Sequence, residues 1–145
     1  MIALLQRVQH ASVAVENKII AEINKGILLF IGVEKGDSEV NGKRLCERFL
    51  AYRVFSDEQD RMNLSIKDID GGVLLVPQFT LAADTRKGNR PSFSSAAAPE
   101  LGEHLFNYVV KQTRQMHGKV ATGRFGADMK VSLVNDGPVT FWLQG

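Results

Sequence analysis

The run GILLFIGV, Gly26 to Val33, is almost continuously apolar, and its reading decides the fold. Eight residues are too few for a helix of ordinary length. The Ile and Val content and the glycines at its ends favour a β-strand covered on both faces. A strand of that kind needs neighbours in its own plane and layers above and below it. Upstream, Asn24-Lys25-Gly26 supplies turn chemistry, and IIAEI (19–23), ASVAVE (11–16) and IALLQRV (2–8) are short strand-like runs. Downstream, Asp37 or Ser38 can cap a helix in which Leu45, Phe49 and Tyr52 recur at helical spacing. VLLV, Val73 to Val76, is a second buried strand entered through Gly71-Gly72.

Residues 85–98 are polar and then rich in Ser and Ala, which predicts a long loop. Pro99 opens a second helix with Leu101, Leu105, Val109 and Met116 on one face. Glu100 and Glu103 near its start, and Arg114 and His117 near its end, suit the helix dipole. Gly118 ends it. The last strands, KVSLV (130–134) and VTFWL (139–143), flank NDGPVT, Asn135 to Thr140. The order is β-rich, helix, strand, helix, β-rich. It predicts a mixed α/β fold, a single layered domain over 1–145 whose sheet is covered by two main helices.

Composition narrows the function classes. At 145 residues, 44% hydrophobic and 23% charged, the chain can bury a real core. A net charge of +2 does not by itself argue for nucleic-acid binding. The single cysteine, Cys46, lies in an amphipathic stretch and reads as a small buried hydrophobe in a reducing compartment. No apolar run approaches the ~20 residues of a membrane span, and the start lacks signal-peptide features. The expected location is cytoplasmic, with no membrane partner.

His10, His104 and His117 form no metal spacing, and no P-loop or dinucleotide fingerprint occurs, so neither metal nor organic cofactor is expected. Two segments stand out. In VPQFTLAADTRKGNRPSF (76–93) a buried strand runs into polar loop, the usual place for ligands in α/β folds. There Gln78, Thr80 and local backbone N–H groups can stabilise a developing oxyanion. The same residues also fit an ordinary strand end. Arg86, Lys87 and Arg90 form a small basic cluster with Phe93 nearby, suited to RNA contact or simply to solvation. In the second segment Asn135-Asp136-Gly137 is good hairpin chemistry, and the Gly137–Pro138 bond can be cis at modest cost.

Together these segments resemble the D-aminoacyl-tRNA deacylase family. Its Ser-Gln-Phe-Thr-Leu-x-Ala stretch is matched by Pro77-Gln78-Phe79-Thr80-Leu81-Ala82-Ala83, with proline in place of serine. Its Asn-x-Gly-Pro-x-Thr motif is matched in full by Asn135, Gly137, Pro138 and Thr140. RVQHASVAV, RVFSDEQDRMNLS, KGNRPSF and TGRFGADMKVSLVNDGPVT extend the likeness almost end to end.

The resemblance implies an RNA-dependent ester hydrolase acting on D-aminoacyl-tRNA, and on Gly-tRNA because glycine has no side chain to reject. It implies a homodimer in which a cis Gly137–Pro138 corner enters the partner's site and its carbonyls exclude L side chains. Arg7 would brace that corner. Backbone N–H groups of Gln78 and Phe79 would hold the oxyanion. Thr80 would act as nucleophile or, as favoured here, position the ester while the ribose 2′-OH helps activate water. Phe125, Ala127 and Met129 would wall the pocket for the terminal adenosine and aminoacyl group, and they equally fit core packing. Competing readings are an esterase or peptidase for free D-amino-acid derivatives, and a non-catalytic dimeric module that binds RNA ends.

Overall fold

The computed structural model describes residues 1–145. Its frame is a mixed sheet built on β1 (Ile2–Val15), which the sequence presents as two runs and the structure as one strand. The physical reason is a change of partner. Residues 2–8 pair antiparallel with β3 (Gly26–Gly32), whereas residues 11–15 pair with β2 (Lys18–Ile23). The exposed Gln9 and His10 lie between these two regions, so polarity there breaks the pattern without breaking the strand.

β3 is the doubly covered strand that its sequence predicts. Ile27, Leu29 and Ile31 face a large core under the helices, while Leu28 and Phe30 face a smaller one on the other side. β6 (Gly72–Pro77) lies parallel to β3 and divides the same way, Val73 and Leu75 to one side and Leu74 and Val76 to the other. The two strands meet at Gly26 and Gly72. A Cβ on Gly26 would stand 1.9 Å from the Gly72 carbonyl oxygen, so only glycine permits that approach. β7 (Val120–Thr122) extends the sheet beyond β6, and β8 (Lys130–Gln144) lines the other side of β1.

Two helices cover the large core. In α1 (Glu39–Ala51), Leu45, Cys46, Phe49 and Leu50 are buried. Its start is fixed by Asn41, whose Oδ1 accepts from the Ser38 N–H at 2.9 Å. α2 (Pro99–Met116) begins on Pro99 and buries Leu105, Phe106, Val109, Val110 and Thr113. A small hairpin, β4 (Phe55–Ser56) with β5 (Met62–Leu64), falls in RVFSDEQDRMNLS, where the sequence reading assigned no strand. No helix is long and apolar enough to cross a membrane.

The hairpin expected at Asn135–Gly137 does not form. β8 runs through it as one strand against β1. Val8 pairs with Asn135 and Gln6 with Thr140, so 136–139 bulge outward opposite Arg7. Local turn chemistry here makes a bulge because both flanks are held by the same long neighbour.

Candidate functional site

The cleft is built where β6 leaves the sheet. After Pro77 the chain turns into a short 3-10 helix, Phe79–Ala82. Backbone parity decides which N–H groups are free there. The Gln78 N–H donates to the Ile31 carbonyl at 2.7 Å, completing the ladder with β3. It is therefore spent, which corrects the expected pairing of Gln78 with Phe79 as oxyanion donors. The N–H groups of Phe79 and Thr80, opening the 3-10 turn, have no acceptor within the protein. Two adjacent free donors at the start of a helical turn form a concavity suited to negative charge. Proline is tolerated at position 77 for the same reason. Its missing N–H would point towards β7, whose pairing with β6 ends two residues earlier, at Leu75 with Thr122.

Around this turn lies a cleft of about 480 Å³, lined among others by Val76, Gln78, Phe79, Phe125, Ala127 and Met129. The three residues from RFGADM thus join Gln78 and Phe79 in one wall, with Thr80 just outside it. The Gln78 side-chain amide donates to the Thr80 hydroxyl. No histidine or carboxylate bonds that hydroxyl, so nothing is placed to take its proton. A larger cleft of about 810 Å³ lies at the other end of β6, around Asn24, Lys25, Asp70 and Lys119, away from these groups. No group of three or more His, Cys, Asp or Glu side chains converges to hold a metal ion.

The corner is a separate construction. The Gly137–Pro138 bond is cis, and Gly137 has φ +144°. A Cβ there would meet Val139 Cγ2 at 2.6 Å and Val139 N at 2.9 Å, so the position requires glycine. Asn135 spans the bulge. Its Oδ1 accepts from the Val139 N–H at 2.7 Å and its Nδ2 donates to Thr140 Oγ1 at 2.9 Å. The spacing Asn-x-Gly-Pro-x-Thr is therefore a clasp, with side chains replacing the ladder bonds that the bulge gives up. Arg7 holds it from beneath, Nε donating to the Asp136 carbonyl at 2.9 Å and Nη1 to the Val54 carbonyl at 2.6 Å.

Within one chain the cleft and the corner do not meet. The bulge lies level with Arg7, which pairs with Ile27, itself level with Val73. Pro77, at the cleft, is four residues further along β6, and three strand spacings separate β8 from β6. At ~3.3 Å per residue and ~4.8 Å per strand the two are roughly 20 Å apart.

The basic loop also divides. Asp84 and Ser92 form a bridge that closes residues 84–92. Arg86 is bound to Asp84 through Nε at 2.9 Å and Nη2 at 2.7 Å, and this guanidinium holds the Asp84 carboxyl far below the usual carboxylate range. Lys87 and Arg90 are exposed and have no ion-pair partner. Of the histidines, His10 is exposed, His104 meets Glu39 across the two helices, and His117 is buried against the Gly71 carbonyl.

The chain thus combines a doubly covered sheet with a free-donor turn beside an apolar cleft, and no charge-relay base bonds the hydroxyl at that turn. Comparison with known proteins places it. Residues 4–144 match the family model described as D-Tyr-tRNA(Tyr) deacylase. Proteins called D-aminoacyl-tRNA deacylase from Photorhabdus laumondii and from a Janthinobacterium species are each 60% identical over 144 residues. They cover 99% of this chain and 99% and 97% of their own length. A solved structure titled c-Myc DNA Unwinding Element Binding Protein superposes with TM-score 0.96 at 36% identity, covering 100% of this chain and 99% of its own. One titled as a probable eukaryotic D-amino acid tRNA deacylase, 16% identical, shares the fold with TM-score 0.83, covering 99% and 98%. The chain belongs to the D-Tyr-tRNA(Tyr) deacylase family and is a hydrolase of the deacylase class.

Proposed function

We propose that the protein hydrolyses the ester of D-aminoacyl-tRNA, and of Gly-tRNA, as a homodimer in which each chain carries its Gly137–Pro138 corner into the other's cleft. The observation that carries this reading is that cleft and corner are each fully built yet lie apart in one chain. A second copy would bring them together. β8 supports such an assembly, because it pairs only with β1 and leaves a fifteen-residue strand with one open edge.

In the cleft the Phe79 and Thr80 N–H groups would receive the oxyanion formed on attack at the ester, each donor contributing roughly 3–4 kcal/mol. Thr80, already accepting from Gln78, is suited to donate to the ester rather than to attack it. Water, assisted by the substrate's ribose 2′-OH, is the nucleophile in this reading. The corner's carbonyls would face the α-carbon, so that an L side chain collides with backbone and a D side chain does not. A filter made of main chain accepts many D side chains, and glycine offers it nothing to reject.

The test is release of amino acid from D-Tyr-tRNA and L-Tyr-tRNA by wild type and Thr80→Ala. Rapid release of the D form alone is expected, with Thr80→Ala slowed by about ten-fold. Equal release of both enantiomers would remove the chirality filter. A loss of several powers of ten in Thr80→Ala would make that residue the nucleophile.

A further inference from the structure

Phe79 and Phe93 are two of the few large apolar side chains left exposed, at 58% and 43%. They touch each other, ring centroids 5.1 Å apart and tilted by 49°. Phe79 lines the cleft, so the pair stands at its mouth and faces outward. Phe93 follows directly on the bridged loop 84–92, and of that loop's three cations Arg86 is neutralised by Asp84. Lys87 and Arg90 remain as free positive charges on the same loop. Exposed aromatic faces beside unpaired cations suit a single-stranded nucleic acid, whose bases stack while its phosphates find the charges. The exposed Lys87, of a residue type depleted at subunit interfaces, favours a nucleic acid over a second protein subunit on this loop.

We propose that the Phe79–Phe93 pair is a stacking seat for the unpaired nucleotide preceding the aminoacylated terminal one, with Lys87 and Arg90 on the adjoining phosphates. This rests on the reading of the substrate as an aminoacyl-tRNA. Arg86 is then a positioning residue, shaping the loop through Asp84.

The experiment compares D-Tyr-tRNA with D-tyrosyl-adenosine, the terminal nucleoside ester without the preceding nucleotides. Phe93→Ala should raise KM for the tRNA roughly ten-fold with little change in kcat. It should leave hydrolysis of the adenosine ester within about two-fold of wild type. Phe93→Trp, which restores a stacking face, should recover the tRNA KM. The double variant Lys87→Ala with Arg90→Ala should lower the salt dependence of tRNA binding by about 1.4 in log–log slope. Equal losses on both substrates, or no loss on either, would overturn the seat. So would a Phe93→Ala protein that sediments as a monomer, which would assign the rings to a subunit contact. Wild type that hydrolyses neither substrate would remove the substrate reading itself, and is told apart because it needs no variant.

Discussion

Gly137 meets two demands at once, one of conformation and one of space. Its φ of +144° lies where L residues are strained, and an added methyl would strike Val139. Gly137→Ala should cost about 1–3 kcal/mol of stability, read in urea unfolding. The same change should lower D-Tyr-tRNA deacylation by about ten-fold or more, since the corner must move to relieve the clash. Cys46 makes a different demand. Burial beneath α2 pushes its thiol up from 9.0 to about 11, partly offset by the Thr113 hydroxyl. Above pH 9 the unfolded thiol ionises while the folded one keeps its proton, so stability falls until the folded thiol titrates. Between pH 8 and 11 the wild type should lose about 2–3 kcal/mol more than Cys46→Ala. Parallel unfolding curves for the two proteins across that range would contradict a buried neutral thiol.

Elements were legible where their signal is local. Continuous apolar runs mark β3 and β6, Ser38 and Pro99 mark the helix starts, and the two core faces follow from strand parity. What the sequence hides is pairing. Nothing in residues 2–15 says that β1 changes partner and continues, and Asn-Asp-Gly signals a hairpin until β1 is known to hold both flanks. The free donors were misplaced by one residue because the Gln78 N–H is consumed by a strand more than forty residues away in sequence. Phe125, Ala127 and Met129 gave no signal of their own separable from core packing, and only the resemblance singled them out. β8 carries the prediction at this scale. Val134 and Trp142, 40% and 51% exposed, sit on a strand with one unpaired edge. In the proposed dimer Val134→Asp should weaken self-association, so that the variant sediments closer to monomer than wild type at equal concentration. Unchanged sedimentation would place any dimer contact elsewhere.

At the scale of the whole molecule, sheet register sets the distance between the cleft and the corner. Strand β6 delivers the cleft at one end, while β1 and β8 deliver the corner at the other. No side-chain rearrangement closes roughly 20 Å across paired strands, so the rigid sheet keeps them apart in every chain. One consequence is genetic rather than chemical. Each working centre would have two owners, and two differently damaged chains should rescue one another. Gly137→Ala disturbs the corner and Ala127→Trp fills the cleft, so each pure protein should lose most of its activity. A mixed dimer would join the intact cleft of the first to the intact corner of the second. Mixing and reassembling the two proteins should therefore restore up to about one active centre per heterodimer, measurable as D-Tyr-tRNA turnover. A mixture no more active than its parts would mean that each chain works alone.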